Sequence, residues 1–160
     1  MAARVSSPTV EVIALAVWLG AAAFFSAAVA PALFAVLPSR ALAGAVVGRL
    51  LPAILYAGMI IGILVIAIEA TSSAGWQWRG RGGLSALIVI ACGVAQFVIG
   101  ARIERVRARI PGAIDDLPLD DARRIAFGRL HGMSVAWLGI AMLAALAALV
   151  LATRAVQSRS

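Results

Sequence analysis

The chain has no lysine, one histidine and one cysteine, and only seven acidic residues against fourteen arginines in 160 positions. Each scarcity removes a class of chemistry. A lone cysteine, Cys92, makes no intrachain disulfide and carries no information about redox compartment. His131 and Cys92 are too few for a cluster at metal-ligand spacing, and one histidine disfavours a haem or copper redox protein. There is no phosphate-cradling glycine loop and no nucleophile beside a base. Asp115, Asp116, Asp120 and Asp121 share one short stretch with seven arginines, and read as charge balance and helix capping rather than a calcium or magnesium site. The expectation is a protein that is not an enzyme and needs no cofactor or metal.

Charge is also missing from long stretches. Val12–Leu37, Leu50–Ile68, Leu84–Ala101 and Gly132–Thr153 contain no charged side chain, and hydrophobic residues make up 63% of the chain. A bilayer core of about 30 Å requires ~20 apolar residues per helical span. Soluble domains average roughly 45–50% apolar residues, and a surplus of this size has no place in one soluble core. The expected fold is therefore all-α: a polytopic membrane protein with four transmembrane helices in one bundle, a single domain over 1–160. The spans are expected at about 10–32, 45–69, 84–102 and 131–153. Glu11, the length of the first run and Pro31 argue against a cleaved signal peptide and for an uncleaved first helix.

Local signals set the boundaries. Pro8-Thr9 opens the first helix, Pro31 kinks it or ends its crossing, and Pro38-Ser39 stops the apolar stretch. Ser39 is the expected N-cap of a second helix from Ala41 to Glu69. Trp76, Trp78, Arg79 and Arg81 in the second connection resemble an interfacial belt. The third helix is expected to continue past the membrane to Ile110, before Pro111-Gly112. Asp116 or Leu117 is the expected cap of the fourth, with Pro118 in its first turn.

Small residues mark helix contacts, because close backbone approach drives association in lipid. Gly44 with Gly48, and Gly58 with Gly62, share one face of the second helix. Ala86, Gly93 and Gly100 recur every seven residues on the third. Gly132, Ala136 and Gly139 are expected to do the same job on the fourth. One of these faces is also a possible homo-oligomer surface.

With four spans, Arg4, Arg79, Arg81, Arg154 and Arg159 lie on one side. Arg40, Arg49, Arg102, Arg105, Arg107, Arg109, Arg123, Arg124 and Arg129 lie on the other. The positive-inside rule puts the first and third connections in the cytoplasm and the termini outside, in the cell membrane. A net charge of +7 in a soluble protein suggests nucleic acid. Here the arginines flank spans, so anionic lipid headgroups are the expected partners and nucleic acid is not.

Arg49, Arg102 and His131 fall at membrane boundaries on the same side, where an ionisable group needs a partner or a role. With Arg105 and Arg124 they form the candidate functional polar cluster. Arg124, Phe127, His131 and Ser134 form one stripe on the fourth helix. Cys92 lies roughly 13–15 Å from the level of Arg102 at 1.5 Å per residue, too deep to join them. Gln96 is expected to bridge helices. Glu11 and Glu69 are expected at the opposite membrane face near Arg81 and Arg154, in ion pairs of small worth. Two functions fit: a scaffold or accessory subunit, favoured by the low polar content, or a small-solute or ion transporter or channel acting as a homo-oligomer.

The run from Trp18-Leu19-Gly20 through Val29-Ala30-Pro31-Ala32-Leu33-Phe34 to Leu37-Pro38, with Ala43-Gly44 and Gly48, resembles the first half of the transmembrane protein 205-like family, also catalogued as domain of unknown function 4149. Arg102-Ile103 with Arg105, and Phe127-Gly128-Arg129-Leu130-His131-Gly132-Met133-Ser134, resemble its second half. The resemblance implies four transmembrane helices and no established activity. It adds weight to Arg102 and His131, which stand in motif positions. The family usually carries a proline just before the arginine that follows the third helix; here that position is Ala101.

Overall fold

A computed structural model describes residues 7–71 and 77–157. Arg4, Trp76 and Arg159 lie outside the described residues, as do the side chains of Trp78, Arg79 and Arg81. Four helices are long and apolar enough to cross a membrane. In lipid a helix satisfies its backbone polar groups internally, so uncharged runs of this length adopt it.

Helix α1 comprises Ser7–Phe24, a π-helical turn at Phe25–Val29, and Ala30–Val36. The widened turn has a local cause. Proline donates no N–H, and its ring presses on the carbonyl four residues back. Pro31 sits just beyond the turn, and the Ala30 N–H bonds the Phe25 carbonyl, five residues away. The chain therefore widens rather than breaking. Leu37 is extended ahead of Pro38.

Helix α2, Arg40–Ala70, begins as the sequence predicts: Ser39 Oγ accepts from the Leu42 N–H at 3.1 Å. Helix α3 comprises Gln77–Gly93, a second π-helical stretch at Val94–Gly100, and Ala101–Arg107. This widening forms with Ala101 at the position where the family usually carries a proline. Regular helix ends at Arg107 rather than Ile110, because the last turn tightens: the Ile110 N–H reaches the Arg107 carbonyl at 3.0 Å.

Helix α4, Ala122–Gln157, starts later than expected. Leu117 is extended, and a short 3₁₀ turn occupies Ile114–Asp116. The cap is Asp121. Its Oδ1 accepts the Arg123 N–H at 2.8 Å, and its carbonyl accepts the first helical bond, from Ile125 at 3.0 Å. Pro118 belongs to the preceding turn, where its carbonyl accepts from Asp121.

The buried stripes alternate steps of three and four, the spacing of left-handed helix packing. On α1 the stripe is Glu11, Leu15, Trp18, Ala22 and Phe25; on α2 it is Leu55, Gly58, Gly62, Val65 and Glu69. Helix α3 packs against α2 and α4, and α1 closes the bundle against α4 and α2. The tightest crossing is at Gly58. A Cβ there would lie 2.7 Å from Trp18 Cζ2 and 2.8 Å from Cys92 Sγ. Trp18 Nε1–H also donates to the Ile54 carbonyl at 2.9 Å, which pins the ring across α2. One turn on, a Cβ at Gly62 would lie 2.7 Å from Val89 Cγ2 and 3.0 Å from the Ser85 carbonyl oxygen.

The other small-residue faces behave differently from the expectation. Around Gly132 and Gly139 there is open space, and at Gly93 the nearest atom to a Cβ is Met59 Sδ at 3.7 Å. Helix α4 packs instead through Ala141, Ala144, Ala145, Ala148 and Ala152. Alanine suffices for close approach, so glycine on this helix marks no contact.

Glu11 and Glu69 are also not at the surface. They are 1% and 2% exposed, at the same end of the two buried stripes. The side chain of Arg81, an expected partner, lies outside the described residues, and Arg154 is exposed on α4.

Candidate functional site

At the other end of the bundle α2 draws away from the π-helical stretch of α3, and a cavity of about 510 Å³ opens between α2, α3 and α4. Helix α2 lines it with Gly44, Val47, Gly48, Leu51, Pro52 and Leu55. Helix α3 contributes Ala95, Gln96, Phe97, Gly100, Ala101, Ile103, Glu104 and Arg107. Helix α4 contributes Phe127, His131 and Ser134. The α2 wall is apolar; the polar side chains come from α3 and α4.

Arg107 organises the mouth. Its guanidinium carbon lies 5.6 Å from the centroid of the Phe127 ring, within cation–π range. Phe127 in turn stacks on His131, one helical turn further, with centroids 6.2 Å apart and planes 8° from parallel. On its other side Arg107 rests against α2: a Cβ at Gly44 would lie 3.4 Å from Nη2, and one at Gly48 3.5 Å from Nη1. Gly44 and Gly48 therefore make room for a guanidinium rather than for a neighbouring backbone. Glu104 is a loose partner, 3.8 Å from Nη1 and largely exposed.

Deeper in, Gln96 and the buried Ser134 face the same space. Pro52 has no N–H to offer the Gly48 carbonyl four residues back, so α2 lacks one helical bond at this wall. Below Leu55 and Ala95 the crossing of Trp18, Gly58 and Cys92 closes the bundle. The cavity thus ends at that crossing and lies in the arginine-rich half of the bundle.

A second cavity of about 450 Å³ adjoins the first and shares Gly44, Arg107 and Phe127 with it. Its other walls are Phe34, Arg40, Ala41, Ala45, Ile110, Gly112, Ala113, Ile114 and Asp115, from the ends of α1 and α2 and the third connection. Arg107 stands at the junction of the two.

Of the five polar residues singled out from the sequence, His131 alone lines the main cavity. Arg49 is exposed on α2. Arg102 and Arg105 lie with Arg109 along a separate shallow groove, and Arg105 Nε–H donates to the Ala101 carbonyl at 3.1 Å. Arg124 holds the connection in place: Nη1–H donates to the Leu117 carbonyl at 2.6 Å and the Asp115 carbonyl at 3.2 Å. Gln96 lines the cavity. The residue missed was Arg107, although a signal existed. The seven-residue series Ala86, Gly93, Gly100 arrives at Arg107 in one more step.

Beside the site, Asp121 accepts from the Arg123 backbone and side chain, with Arg123 Nη2 at 2.8 Å from Oδ2. Those bonds hold its carboxyl down at about 2. Among the described residues no group of three His, Cys, Asp or Glu side chains is placed to hold a metal ion.

No curated protein and no solved structure matches the chain. One family model, the domain of unknown function DUF4149, matches residues 13–111. That segment includes nearly all of α1, all of α2 and α3, and so both the glycine wall and Arg107. It covers 99 of the 160 residues, and the chain, with its four membrane-length apolar helices among the described residues, belongs to the DUF4149 family.

Proposed function

We propose that this chain is a non-enzymatic membrane protein that binds an anionic group in the cavity beside Arg107 and serves as a scaffold or accessory subunit. The observation that carries the reading is the seating of Arg107 between the Gly44/Gly48 wall and the Phe127 ring. A guanidinium held by packing, with its one acid partner loose and exposed, keeps hydrogen-bond donors for a carboxylate or phosphate. The apolar α2 wall lowers the local dielectric and strengthens that attraction.

The proposal extends to location: the cell membrane, with the cavity opening on the cytoplasmic side together with the first and third connections. The nine-to-five division of arginines supports it. The closer kinship with the transmembrane protein 205-like family is part of the same proposal. It rests on the Phe127–Ser134 run, of which Phe127, His131 and Ser134 line the cavity. Transport by a homo-oligomer is the second reading, favoured by polar lining as deep as Gln96. It requires the Trp18–Gly58–Cys92 crossing to open.

The test is thermal unfolding in neutral-lipid nanodiscs with inorganic phosphate added at constant ionic strength. A ligand bound to the folded state raises the midpoint by mass action. The wild type is expected to gain stability, Arg102→Gln to gain as much, and Arg107→Gln to gain little. Equal gains in all three would remove the reading.

A further inference from the structure

We infer that the ligand is an anionic amphiphile with one acyl chain, its head at Arg107 and its chain in the inner cavity. This rests on the anion-binding reading above and adds the chain. The argument is the division of the site by a single side chain. Arg107 is shared by two adjoining cavities, both lined mainly by apolar side chains. The outer one carries Arg40 and the backbone of the third connection; the inner one is walled on α2 by Val47, Leu51 and Leu55.

A small hydrophilic anion would use the outer cavity and leave the inner one to water against an apolar wall. A neutral lipid chain would fill the inner cavity and leave the Arg107 donors unused. A molecule with a charged head and an apolar tail satisfies both. The dimensions agree. From Gly44 to Leu55 the α2 wall spans eleven helical steps, roughly 16 Å at 1.5 Å per residue. An inner volume of about 510 Å³ is of small-ligand size. The acids nearby do not exclude the head. Asp115 Oδ1 lies 3.9 Å from Arg124 Nη2, and Glu104 points largely to solvent.

Native mass spectrometry of the full chain in a neutral sugar detergent separates the contributions. Three probes share parts: a lysophosphatidic acid, the monoacylglycerol with the same chain, and glycerol phosphate. The lysophosphatidic acid is expected to be retained roughly tenfold more than either fragment, a difference one charge-assisted contact or a few buried methylenes supplies. Arg107→Gln should lower its retention to that of the monoacylglycerol. Leu51→Trp, which fills the inner cavity at a half-buried position one turn beyond the Gly44/Gly48 contact with Arg107, should lower it to that of glycerol phosphate.

Retention of glycerol phosphate equal to that of the lysophosphatidic acid would overturn the amphiphile inference and leave anion binding standing. Retention of the monoacylglycerol equal to it would overturn both. Unchanged retention in Leu51→Trp would likewise overturn the placement of the chain.

Discussion

A Cβ at Gly58 meets the Trp18 ring at 2.7 Å and the Cys92 sulfur at 2.8 Å, whereas one at Gly139 meets nothing within 4 Å. Glycine-to-alanine replacement raises helix propensity by up to about 1 kcal/mol where space permits. Overpacking a tight crossing costs about 1–3 kcal/mol. Gly58→Ala is therefore expected to lower the thermal midpoint, and Gly139→Ala to leave it unchanged or raise it. Circular dichroism of both variants in the same detergent checks this, and equal shifts would contradict the assigned crossing. The sequence marked the Gly58/Gly62 face correctly as a contact. It did not distinguish that contact from Gly132 and Gly139, because a glycine's role depends on what lies opposite, and alanine already admits a neighbour on α4. Gly44 and Gly48 had the same spacing signature as Gly58 and Gly62. What they accommodate is an arginine from α3, and no pattern within α2 reveals that.

At the scale of elements, the start of α4 is set by Asp121 rather than by Pro118. Its carboxylate caps the first turn, and bonds from Arg123 hold its pKa at about 2, below the ordinary 3.8. The sign follows from proton linkage: a depressed folded pKa means the cap contributes fully above 3.8 and is lost as the pH falls through about 2. Hydrogen exchange at the Arg123 amide should stay protected at every pH above that window. Asp121→Ala should lose the protection at neutral pH. A loss midpoint at the ordinary value would contradict the hydrogen-bond geometry. Element identity was legible in the sequence because uncharged runs dictate helices in lipid. Helix ends were less so, since several aspartates in a row all qualify as caps and only the fold of the third connection selects one. The π-helical turns follow from Pro31 in α1, but α3 widens without a proline.

Across the whole molecule, the described bundle divides into two halves. One is closed by Trp18, Gly58 and Cys92 and ends at the buried Glu11 and Glu69. The other opens into two cavities around Arg107. The sequence singled out this end and His131, which lines the cavity there. It assigned the cationic role to Arg49 and Arg102, which sit nearer the charge-free runs, while the arginine that lines the cavity is Arg107, further along α3 on the same face as Ile103 and Glu104. Burial, not proximity to a hydrophobic run, separates Arg107 from its exposed neighbours.

The central claim is that Arg107 makes the cavity an open, anion-attracting entry on the arginine-rich side. Thiol labelling at Gln96→Cys, a half-buried position in the cavity wall, tests it most directly, with the buried Cys92 as an unreactive internal control. A sulfonate-bearing methanethiosulfonate and an uncharged one are applied separately to each face of oriented vesicles. The account predicts labelling from the arginine-rich face alone, faster for the anionic reagent, with that preference lost in Arg107→Gln and kept in Arg102→Gln. Labelling from the opposite face, or an anionic preference that survives Arg107→Gln, would contradict it.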